Sequence, residues 1–77
     1  MDTECANEFY QHEDGSRFRI QILRDEGVFK VFMDLFQNES AESLITTYGP
    51  YYFYDKDGIT HCDMAMKKAK EICDEIS

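Results

Sequence analysis

The sequence predicts an α+β domain, an antiparallel β-meander of three to four strands with one C-terminal helix packed on one sheet face. Three observations predict it. Residues 17 to 36 alternate apolar and polar side chains on either side of a turn. Residues 44 to 54 are dense in β-branched and aromatic residues. Residues 60 to 76 repeat apolar side chains at helical spacing.

Taken in order, residues 1 to 6 read as a flexible lead-in. "NEFYQH" reads either as a short first strand or as a short N-terminal helix. "EDGS" is turn chemistry, with Gly15 able to take a positive φ. "SRFRIQILR" then places Phe18, Ile20 and Ile22 on one face and Arg17, Arg19 and Gln21 on the other, the pattern of a half-buried antiparallel strand. "DEG" at 25 to 27 is a tight hairpin. In "VFKVFMDLF" one side is wholly apolar: Phe29, Val31, Met33 and Leu35. The other side carries Val28, Lys30, Phe32, Asp34 and Phe36, so the first set must face the core.

"QNESAE" makes a second polar turn. Pro50 lacks a backbone donor that a central strand would need, so Leu44 to Tyr54 is expected as one long edge strand, bent at Gly49-Pro50. "DKDG" ends it. A helix is expected from Thr60 to Ile76, with Thr60 and Asp63 as a capping box. Its apolar stripe runs through Cys62, Ala65, Met66, Ala69, Ile72, Cys73 and Ile76. A single helix covers a single face, and the opposite face stays open.

The chain, residues 1–77, is short enough for only one domain. Sixteen acidic against eight basic residues give a net charge of −8, which repels nucleic acid and anionic membrane and attracts a basic protein surface. No apolar stretch is long enough to span a membrane, and the acidic N-terminus is not a secretory signal. Three cysteines are an odd number. Cys62 and Cys73 on one helix lie about 16 Å apart, too far to bridge. Buried free thiols in a reducing cytoplasm are therefore expected, in a host cell's cytoplasm if the protein is virus-encoded.

The motifs that suggest chemistry are weak. "DKDG" has two alternating acids but puts Ile59 and Met66 where an EF-hand needs further ligands. In "THCD", Cys62 sits in the first helical turn, where the helix dipole favours a thiolate, yet His61 points about 100° away and Asp63 opposes the charge. A thiol enzyme at Cys62 is the least favoured reading. Cys5, His12, His61, Cys62 and Cys73 form no zinc-ligand spacing. "MKKAKEI" resembles the lysine-rich helix start of double-stranded-RNA-binding domains, but its lysines fall mid-helix in an acidic chain. Neither a cofactor nor a metal nor direct nucleic-acid binding is expected.

The richest stretch is "YGPYYFYDKDG". Tyr51 and Phe53 share one face of the edge strand and belong inside. Tyr52 and Tyr54 then project outward beside Phe32, Arg17 and Arg19, and tyrosine and arginine are favoured at protein interfaces. Glu13, Asp14, Glu39, Glu42, Asp74 and Glu75 gather at one end of a meander. The leading expectation is a non-enzymatic, acidic protein-binding domain, an inhibitor or regulator occupying a basic surface of a larger protein, a nucleic-acid-binding surface being one such candidate. In size, charge and absence of catalytic groups the chain is similar in general character to small virus-encoded inhibitors of host defence nucleases, the anti-CRISPR proteins among them. The alternative is a homodimer or accessory subunit pairing through the open sheet face.

Overall fold

A computed structural model describes residues 1–37 and 41–76. Four strands, β1 (Thr3–Gln11), β2 (Arg17–Asp25), β3 (Val28–Phe36) and β4 (Leu44–Tyr54), form one antiparallel sheet in the order β1-β2-β3-β4. The helix α1 (Cys62–Ile76) follows and lies across one face. This is the α+β meander with one C-terminal helix that the alternation and the helical stripe predict.

The β2–β3 hairpin keeps strict register from Arg17 opposite Phe36 to Asp25 opposite Val28. Its turn is closed by Gly27 at φ 68°, a conformation that costs a residue with a Cβ far more than it costs glycine. Period-two alternation sends Phe18, Ile20, Ile22, Phe29, Val31 and Met33 inward, all essentially buried. Against them α1 packs Ala65, Met66, Ala69 and Cys73. The two alanines let the helix axis come close, and among the described residues no buried polar or charged side chain interrupts the core.

β4 is one edge strand, as Pro50 requires. It turns at Gly49, φ 110°, where an added Cβ would meet the Val31 carbonyl oxygen at 2.5 Å. Glycine is thus demanded there by close approach as well as by φ.

Of the two readings of "NEFYQH", the strand is the one formed. Four expectations need correction. β1 begins at Thr3, inside the stretch read as a lead-in. The helix begins at Cys62, not Thr60. The Thr60–Asp63 capping box is not formed, because the Thr60 hydroxyl turns to the Met64 sulfur at 3.6 Å, while the His61 carbonyl accepts the N–H groups of Met64 and Ala65. The cysteines are not all thiols: Cys5 and Cys62 form a disulfide across 57 residues, with Cα atoms 6.3 Å apart. The spacing argument excluded Cys62–Cys73 correctly but left Cys5 in a supposed loose lead-in. Cys5 is the extra residue of a β-bulge between Glu4 and Ala6, and a bulge re-aims its side chain, here toward the helix. Cys62 is accordingly half-buried and cross-linked, not a core thiol.

Cys73 does remain a buried thiol. It donates to the Met33 sulfur at 3.4 Å, and desolvation pushes its pKa up to about 12.

Candidate interaction surfaces

The sheet face away from α1 is covered by no other element among the described residues. Cross-strand pairing places Tyr52 opposite Lys30, Tyr54 opposite Val28 and Phe32 opposite Gln21. Tyr52 and Tyr54 are 49% and 41% exposed, while Tyr51 and Phe53 pack on the core as the alternation requires. Phe32 is half-buried at the place where the β3–β4 register shifts. Lys56 lies over the Tyr54 ring at 5.2 Å.

The same face holds a cluster that the sequence reading missed. Phe36 is only 6% exposed, yet it belongs to this outer side and stands apart from the core. It meets Phe9 of β1 across the intervening β2, with ring centroids 6.4 Å apart. The Arg17 guanidinium lies 4.3 Å over Phe9 and that of Arg19 lies 5.9 Å from Phe36. Arg19 also reaches Asp34 at 2.6 Å, and Asp34 accepts the Thr47 hydroxyl at 2.8 Å. Arg17 and Arg19 thus stand over rings at one end of the outer face, where Phe36 is buried but Phe9 is still 53% exposed, about as open as Tyr52 and Tyr54 at the other end. The signal available in the sequence was Phe36 itself, a large apolar residue on the charged side of β3.

The acidic end is assembled by the meander. The 12–16 turn, the 3-10 turn Ala41–Ser43 and the end of α1 lie at the same end of the sheet, bringing Glu13, Asp14, Glu42, Asp74 and Glu75 there. Glu39 lies outside the described residues. Two of these acids serve the fold. Asp14 accepts the Ser16 backbone N–H at 2.8 Å, and that bond, with the Ser16 hydroxyl, holds its carboxyl below the usual range. Asp74 accepts the Tyr10 hydroxyl at 2.7 Å, which raises the Tyr10 pKa, and lies 3.3 Å from His12 Nε2. His12 Nδ1 lies 3.3 Å from Asp14. Glu13, Glu42 and Glu75 are exposed.

A third surface is a groove of about 670 Å³ between β1 and one flank of α1, crossed at one end by the Cys5–Cys62 bridge. It mixes charged with apolar lining. Among the described residues no three His, Cys, Asp or Glu side chains gather to hold a metal ion, and no helix is long and apolar enough to cross a membrane. No family model, no curated protein and no solved structure matches the chain.

Proposed function

We propose that this domain is a non-enzymatic protein-binding module, an inhibitor or regulator that docks on a basic surface of a larger protein. The observation that carries the reading is the uncovered sheet face, where Tyr52 and Tyr54 stand about half exposed on the edge strand β4. Short-range anchoring would come from these rings and from Phe32. Glu13, Glu42, Glu75 and the rest of the −8 net charge would steer the approach. A basic surface that otherwise takes nucleic acid is the natural target for such a field, as in inhibitors of defence nucleases.

A homodimer through the same face is the second reading. Exposed Leu44 and Ile45 beside it favour pairing, whereas a charge of −8 on each copy opposes it. A cytoplasmic location, as read from the residues, carries with it a reduced Cys5–Cys62 pair, since the cytoplasm keeps most thiols reduced.

The test is affinity capture after nuclease digestion, followed by binding kinetics on the captured partner. Reversing Glu13 and Glu75 to lysine should slow association and flatten its salt dependence, because exposed charges act over a Debye length of about 8 Å at physiological salt. Changing Tyr52 and Tyr54 to alanine should speed dissociation and leave association unchanged. A partner indifferent to both pairs of changes would overturn the reading.

A further inference from the structure

The two edges of the sheet are not equally protected. Edge strands present unpaired N–H and C=O groups that invite another strand, and natural sheets blunt them with proline, lysine or bulges. β4 has Pro50 and two register shifts against β3. β1 shifts once, at Cys5, and then runs in regular pairing with β2 from Ala6 to Gln11, without proline or lysine. In a regular antiparallel edge every second residue turns both backbone groups outward.

Beside this edge lies α1, and the contacts show that the two run in the same direction. Cys62 is bonded to Cys5, Lys70 Nζ lies 3.4 Å from Glu8, and Asp74 accepts the Tyr10 hydroxyl. From Cys62 to Asp74 a helix rises about 18 Å. From Cys5 to Tyr10 a strand advances about 17 Å. The matching advance keeps strand edge and helix flank side by side along the whole groove. Helix positions 63, 66, 67, 70, 71 and 74 line it, the three-and-four spacing of a single flank.

We propose that this groove binds an extended, basic segment of a partner protein, which adds to β1 as a fifth strand. Its backbone would pair with the outward groups between Ala6 and Gln11. Side chains turned to the helix would rest on Met66, Ala6 and the disulfide. The sign of the partner's charge follows from the lining, where Glu8, Asp63, Glu71 and Asp74 outnumber Lys67 and Lys70. This rests on the proposed protein-binding function only for the presence of a basic partner, and it uses a different surface from Tyr52 and Tyr54. A second copy is the poorer occupant: it would bring another −8 charge, and another Glu8, against the same edge.

The test uses the isotope-labelled, disulfide-intact chain and a short capped peptide alternating lysine and valine, with a glutamate–valine peptide as control. The lysine peptide should saturate, shifting the amides of Ala6 to Gln11 and of the α1 flank. Alternate β1 amides should then exchange about tenfold more slowly. D63K with E71K, both exposed, should weaken binding about tenfold by removing the attraction. Equal binding of the glutamate peptide, or failure to saturate, overturns the groove. Shifts centred on Tyr52 and Tyr54 also overturn it and leave the sheet-face reading standing. β1 protection that grows with protein concentration, together with a doubled mass in light scattering, would assign the edge to a second copy and overturn the basic segment.

Discussion

Strands β2 and β3 supply alternate side chains to both faces of the sheet, yet the two faces are closed by different means. On the inner face α1 brings its own apolar stripe, and Phe18, Ile20, Ile22, Val31 and Met33 lose all contact with water. On the outer face no element arrives among the described residues. There Phe36 is sheltered where it meets Phe9 beside the arginine stems, while Phe9, Tyr52 and Tyr54 are left about half exposed. A helix-covered face is a packing solution that tolerates little change. A face covered only in part by long flexible side chains can be opened further by a partner at small cost.

The largest difference between the faces should appear on reduction. The Cys5–Cys62 bridge ties the start of α1 to β1 over a separation of 57 residues, and closing a loop of that size in the unfolded chain is worth roughly 4 kcal/mol. Urea unfolding with and without a dithiol should show a loss of that order. A loss below about 1 kcal/mol would mean that the packing of α1, not the bridge, secures the inner face.

Next in size is a matched pair of truncations. Ile20→Ala empties the helix-covered core and should cost about 3 kcal/mol, within the usual range for such cavities. Phe36→Ala on the outer face removes a larger side chain and should cost less, about 2 kcal/mol, because the Arg17 and Arg19 stems can settle into the space. An equal or greater cost for Phe36 would show that the outer cluster is a second core.

The smallest effect concerns the acidic end. Asp14 has its pKa lowered by the Ser16 backbone bond, so the folded state binds its proton less readily than the unfolded chain. That stability is present above the ordinary carboxylate pKa of about 4 and is lost as pH falls through the lower folded value. Asp14→Ala should therefore lower the urea midpoint at neutral pH, with the gap from the parent closing on acidification. A constant gap would mean that the turn is held by Gly15 and backbone bonds alone.

The hairpin from Arg17 to Phe36 and the apolar stripe of α1 were legible because both depend on local periodicity, which a single strand or helix imposes on its own residues. β4 was legible through Pro50 for the same kind of reason. Tyr52 and Tyr54 could be assigned outward because Phe53 and Tyr51 had to go in. What local patterns miss is pairing at a distance. Phe9 and Phe36 have no sequence relation, and only the side-by-side order β1-β2-β3 lets their rings meet over Arg17 and Arg19.

By itself, then, the sequence determined the α+β class, the inward side of β2 and β3, the edge position of β4 and the acidic character of the surface. Each of these follows from residue type and spacing within one element. Tertiary structure alone decided that Cys5 meets Cys62, that α1 runs alongside β1, and that Asp74 serves Tyr10 and His12 besides adding to the acidic end. The physical reason is the bulge at Cys5. One extra residue in a strand shifts which side chain faces the helix, and a shift of one position is invisible until both strands of the pair are aligned.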